Sequence, residues 1–190
     1  MSVIVAIKEN GVVYTGADSQ TSLGRRRHKY LNEVGYKVHR LDNGMLLGFC
    51  GRVASRQVIL AMKEIFTLDE NGRLTKEHIV KNILPELQDH IVEIAGEECA
   101  SIEVSILLIY KDEMYRIFSD LRVIHLNENA KAGAGADYVN YALFNMTHLP
   151  VRQRIVKALV ESAKRCDSVE GPFVLIDTKN LEYEVVDKEE

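Results

Sequence analysis

The order of apolar periods along the chain predicts an α+β protein, a four-layer αββα sandwich of two antiparallel sheets. Three observations carry that prediction. Most strand-like segments are joined by tight turns; the first two groups of them are each followed by a pair of segments with helical spacing; and the strand-like segments are largely continuous apolar runs. Strands linked as hairpins form antiparallel sheets. Strands that are apolar on both faces need cover on both sides. Two stacked sheets with helices outside them meet all three conditions.

The elements follow in order. Residues 3–7 form a β-branched run, Glu9-Asn10-Gly11 supplies a hairpin turn, and residues 12–17 are a second strand. A loop through residues 25–33 leads to a third strand at 37–41. Asp42-Asn43-Gly44 then turns the chain into a fourth at 45–50. From Val53 the period lengthens, with Val53, Ile59, Leu60, Met62, Ile65 and Phe66 at helical spacing. Thr75 is placed to cap a second helix over residues 75–95, whose stripe is Ile79, Ile83, Leu87, Ile91 and Ile94. Pro85 lies inside it and is expected to kink or interrupt it. Strands return at 103–110, 114–119 and 121–126, helices at 137–146 and 151–166, and a hairpin at 173–177 and 181–186 closes the pattern. No repeat, low-complexity tract or linker interrupts it, so residues 1–190 read as a single domain.

Composition narrows the function classes. A chain 46% hydrophobic and 27% charged is an ordinary globule, and its net charge of −4 argues against a surface built for polyphosphate. Arg25-Arg26-Arg27-His28-Lys29 is the one basic cluster, read as a solvated loop or subunit contact and not as a nucleic-acid site. No apolar stretch reaches a membrane-spanning length, and no signal peptide is evident, so a cytoplasmic location is expected. Cys50, Cys99 and Cys166 show neither a disulfide framework nor metal-ligand spacing, and the six histidines are scattered. No metal or other cofactor is expected. Gly133-Ala134-Gly135 is a weak anion-site signal and more simply a tight turn.

What remains is the start of the chain. Ser2 follows Met1, and methionine is generally cleared when the next residue is this small. Removal leaves a serine carrying both a hydroxyl and a free α-amine. An amine titrating near ~8 can take the hydroxyl's proton, so the residue can serve as nucleophile and base together. Met-Ser alone is too common a start to carry this.

Its surroundings add weight. Ser2-Val3-Ile4-Val5-Ala6-Ile7, the stretch from Gly16-Ala17-Asp18-Ser19 to Gly24, Tyr36-Lys37-Val38, and Leu47-Gly48-Phe49-Cys50-Gly51 occur in register on the expected elements. Together they resemble the proteasome β-type and HslV-like peptidases, which are N-terminal-nucleophile (Ntn) hydrolases. The resemblance covers nearly the whole chain. It implies the Ntn hydrolase fold and a peptidase of the threonine-protease class, acting on peptides or unfolded proteins. It also implies a homo-oligomeric ring, and an ATP-dependent unfoldase as a class of partner.

Residue by residue, the resemblance puts Ser2 in the place of the nucleophilic threonine. It makes Lys37 the cation that lowers the nucleophile's pKa and Asp18 the carboxylate that orients that lysine. Gly51 becomes the oxyanion donor, and Asp167 the aspartate beside the amine. Ser22 and Gly51 would pair with an extended substrate, and Phe49 would line a shallow specificity pocket. Lys29 competes for the lysine role; Lys37 is preferred because the same gap also places Gly51. The pattern departs at four positions. Ser2 replaces Thr, Ala134 and Glu170 stand where hydroxyls are usual, and Ser55 replaces an aspartate. Of these, the Ala134 and Glu170 departures favour the alternative of a catalytically inactive ring or scaffold subunit.

Overall fold

The computed structural model describes residues 2–23, 26–29, 36–95 and 103–187, with backbone alone for 22–23, 26–29 and 91–95. One five-stranded antiparallel sheet has the order β10 (Asn129–Ala132), β1 (Ile4–Glu9), β2 (Val12–Asp18), β11 (Phe173–Asp177), β12 (Glu184–Val186). A second follows the order β5 (Val38–Arg40), β6 (Leu46–Gly51), β7 (Val104–Tyr110), β8 (Glu113–Ile117), β9 (Val123–Leu126). A separate hairpin joins β3 (Gln20–Leu23) to β4 (Arg26–Lys29). The helices are α1 (Val53–Ala61), α2 (Lys76–His78), α3 (Leu84–Ala95), α4 (Ala136–Asn145) and α5 (Val151–Arg165).

Strand β1 shows why its run is continuously apolar. Val3, Val5 and Ile7 pack with Val139 of α4 and Ile155 and Leu159 of α5, whereas Ile4 and Ala6 face the other sheet. Strand β6 mirrors it: Leu47 and Phe49 meet Ile59, Phe66 and Ile83 on the helix side, and Leu46 and Cys50 face inward. Alternate residues therefore fill two different layers of core, so the runs at residues 3–7 and 46–50 are apolar or glycine throughout. The expected αββα stack results, with α1 to α3 over the second sheet and α4 and α5 over the first.

Four local differences have physical reasons. The loop expected over 25–33 is in part a hairpin, with Gln20↔Lys29 and Leu23↔Arg26 in register; residues 24–25 and 30–35 lie outside the described residues. Strands polar on both faces give no periodic apolar signal. Strand β10 also escaped the pattern, because its two inward residues are Ala130 and Ala132, poor strand formers that fit between packed sheets. Beyond α1 the first helical region continues only as a short tight turn, Lys63–Ile65. Ahead of Pro85 the chain widens into a π turn over Ile79–Ile83, the Leu84 N–H reaching the Ile79 carbonyl. That extra residue lets the helix run on past a proline that donates nothing.

Candidate active site

Strand β1 places Ser2. Ile4 stands between Ala132 on β10 and Ala17 on β2, so the residues just before it meet the ends of both neighbours. Asp18, at the end of β2, accepts the Val3 N–H on Oδ1 at 2.8 Å, and its own N–H donates to the Val3 carbonyl. Its Oδ2 accepts the Gln20 N–H at 3.2 Å and the Lys37 ammonium at 2.6 Å. Lys37 arrives from the opposite sheet, just before β5, where its carbonyl accepts the Phe49 N–H. The side chains of Lys37 and Asp18 are 3% and 0% exposed. The two are thus joined across the sheet interface, one residue from Ser2.

Burial dominates the titration of this pair. It pushes the Asp18 carboxyl above and the Lys37 ammonium below their ordinary values, against the attraction and hydrogen bond between them. Both shifts run toward the uncharged form, which brings the pair closer to proton exchange than an exposed Lys–Asp pair. Cys50 lies in the same electrostatic neighbourhood. Burial pushes its thiol up to about 12, with the Lys37 charge opposing and the Asp18 charge adding. A thiol held neutral is a poor nucleophile, which leaves Ser2 as the candidate.

Two glycines are required by close approach. At Gly133, φ is +94° and a Cβ would stand 2.1 Å from the Ser2 carbonyl oxygen and 3.1 Å from Cys50 Sγ. Gly51 has φ +146°, and a Cβ there would lie 2.4 Å from the Glu103 carbonyl oxygen. The Gly135 N–H donates to the Ser2 carbonyl at 3.3 Å, and the Ser162 hydroxyl donates to the Gly135 carbonyl at 3.2 Å. The tight turn read at 133–135 is therefore a seat for Ser2.

The other predicted residues are placed differently. Phe49 is buried on the helix side of β6, its ring edge-on to His39 at 5.8 Å between centroids. Asp167 is exposed, and it joins the site only through its carbonyl, which accepts Gln20 Nε2 at 3.3 Å. The Glu170 carbonyl accepts the Ser19 N–H. Ser22 sits on β3 opposite Arg27, and Lys29 on β4 opposite Gln20; both side chains, and Met1, lie outside the described residues. No group of His, Cys, Asp and Glu among the described residues could hold a metal ion. No described helix is long and apolar enough to cross a membrane.

Sequence reasoning missed Ser162 and Arg116, though both carry a signal. Ser162 falls on the apolar stripe of α5, seven residues after Ile155. Arg116 shares the inward phase of β8 with Met114, where an apolar residue is the rule. Arg116 donates through Nε to Ser105 Oγ at 2.8 Å and through Nη1 to the Lys131 carbonyl at 3.1 Å.

Known structures share this arrangement of layers. A BPH protein of Thiobacillus denitrificans superposes with TM-score 0.75 at 16% identity, over 95% of this chain and 98% of that one. It has also been solved in complex with epoxomicin. The chain has the proteasome-like Ntn hydrolase fold. HslV of Trypanosoma brucei superposes on it with TM-score 0.64 at 18% identity, covering 92% of this chain and 98% of that one. Anbu of Pseudomonas aeruginosa, solved as a helical assembly, gives 0.72 at 15%, over 99% and 88%. No family model matches the sequence.

Proposed function

We propose that this protein is a subunit of a proteasome-like peptidase in the cytoplasm, hydrolysing peptide bonds through Ser2 after Met1 is removed. On this reading residues 1–190 form one proteasome-like domain. The observation that carries it is the buried Lys37–Asp18 pair, hydrogen-bonded to the backbone amide next to Ser2. The Ser2 hydroxyl attacks the substrate carbonyl and gives its proton to the Ser2 α-amine, made free by loss of Met1. Lys37 favours the developing alkoxide, and the Gly51 N–H receives the oxyanion. The amine then protonates the departing peptide amine, leaving an ester on Ser2 that water cleaves. Ser22 and Gly51 pair with the extended substrate, and the packed Phe49 ring keeps the specificity pocket shallow. The Asp167 carbonyl holds the Gln20 side chain beside the site.

Homo-oligomeric assembly is part of the proposal. On α4, Tyr141 and Phe144 are 70% and 83% exposed, on a face where only Asp137 is charged. Aromatic, charge-poor surface of this kind marks the centre of a protein interface. Light scattering on the Phe144→Lys variant should show loss of the assembly; an unaltered mass would remove α4 from the interface. An ATP-dependent unfoldase is the partner class for delivering folded substrates.

Intact mass and labelling test the chemistry. The mature chain should lack Met1, and a peptide epoxyketone should add to the unaltered protein but not to Ser2→Ala. Retained Met1, or equal labelling of both, would end the nucleophile assignment. A second reading, a catalytically silent ring or scaffold subunit, is favoured by Ala134 and by the exposed position of Asp167. Assembly without labelling would select it.

A further inference from the structure

Ser2 belongs to the first sheet, whereas Gly51, the donor assigned to the oxyanion, ends a strand of the second. Their relative placement depends on what ties the two sheets together at this end. Lys37–Asp18 is one such tie. Arg116 makes another: from β8 its guanidinium crosses the interface to the Lys131 carbonyl on β10, two residues ahead of Gly133. Its other contacts hold that reach in place. Nε is bound to Ser105 Oγ, and the guanidinium lies over the Phe118 ring, 4.3 Å from its centroid. Ser105 is in register with Cys50, the residue before Gly51.

From the helix layer, the fully buried Ser162 holds the far side of the same turn. Its hydroxyl donates to the Gly135 carbonyl, and the N–H of Gly135 donates to the carbonyl of Ser2. The turn that receives Ser2 is thus gripped at Lys131 from the opposite sheet and at Gly135 from α5. A planar guanidinium with two bound acceptors fixes direction as well as distance. Ala134, between the two grips, has no hydroxyl of its own to offer.

We propose that Arg116 and Ser162 are positioning residues that seat Ser2 through the turn at 133–135, in register with the oxyanion donor. The proposal rests on the reading of Ser2 as the nucleophile. Neither side chain transfers a proton; each limits where the Ser2 backbone can go. Small displacements of a reacting group cost rate steeply while leaving substrate binding little changed.

The test uses the full chain and two readouts. Arg116→Met and Ser162→Ala should each speed deuterium exchange over residues 131–137 by about tenfold or more relative to strand β11, because a grip on the turn is lost. In peptide hydrolysis both should lower kcat by at least about tenfold, with KM within about twofold. Arg116→Lys should recover part of each effect. Arg122→Met should change neither, although Arg122 also lies over Phe118, at 4.8 Å. Exchange over 131–137 that is unchanged, or that rises in step with the whole first sheet, overturns the proposal whether or not the protein hydrolyses peptides. Faster local exchange in a chain that shows no hydrolysis supports the seat, and sinks only the assignment of Ser2 as nucleophile.

Discussion

Strand β1 has a lysine–aspartate pair near each end, and the two are chemically alike but physically opposite. Beside its start, Lys37 and Asp18 meet at 2.6 Å with almost no exposure. Near its other end, about 17 Å along at the usual rise of a strand, Lys8 and Asp112 meet at 2.9 Å with 30% and 46% exposure. At the exposed pair the hydrogen bond to Lys8 holds the Asp112 carboxyl below its ordinary value. Burial reverses that direction for Asp18. The same two side chains therefore form a solvated tether at one end and a desolvated pair at the other. Burial makes the difference between them.

The contrast breaks most directly at Lys37. Lys37→Met leaves the Asp18 carboxylate buried without its cation, and should cost about 3–5 kcal/mol in chemical denaturation. The double variant Lys37→Met/Asp18→Asn should recover much of that. A loss for Lys37→Met no larger than that for Lys8→Met would mean the pair is solvated after all. Next in size is Gly133→Ala, which drives a methyl toward the Ser2 carbonyl at a backbone angle that L residues rarely adopt. About 2 kcal/mol of stability should be lost, together with labelling of Ser2.

His39 extends the contrast to a titratable group that is largely buried and, among the described residues, draws on no neighbouring carboxylate. Burial first, and then the Arg56 charge, push its pKa from 6.5 to about 4. The folded chain refuses a proton that the unfolded chain accepts, so this contribution to stability is full above pH 6.5 and lost as pH falls toward 4. The melting temperature should drop across that window, and His39→Asn should flatten the drop. An identical pH profile in the variant would show that His39 does not titrate as its burial requires. The smallest effect belongs to Lys8→Met, within about 1 kcal/mol and shrinking further in salt.

Legibility in the sequence followed the same division. Strands β1 and β6, both helix pairs and the closing hairpin were readable because apolar period reports directly on which faces are covered. The hairpin β3–β4 and strand β10 were not, since polar residues and alanines carry no such signal. At the candidate site, local motifs and a resemblance single out Ser2, Asp18 and Lys37, which the fold brings together. The resemblance sets Asp167 beside the amine; in the structure its side chain is exposed and its carbonyl accepts Gln20 Nε2. Arg116 and Ser162 could have been noticed as polar residues on inward phases, but their partners lie far along the chain. Arg116 reaches 15 residues ahead to Lys131, and Ser162 reaches 27 residues back to Gly135.

The layers of this protein are legible in its apolar pattern, because periodicity of two or 3.6 residues is a local property that states which faces must be buried. The sequence also names the residue types that chemistry at Ser2 would need. Packing is what brings Asp18 and Lys37 into a dry contact across two sheets, keeps the Cys50 thiol beside them neutral, and makes the turn at 133–135 the seat of Ser2. Those outcomes depend on desolvation and on distances between residues remote in the chain, and neither quantity exists until the sheets have packed.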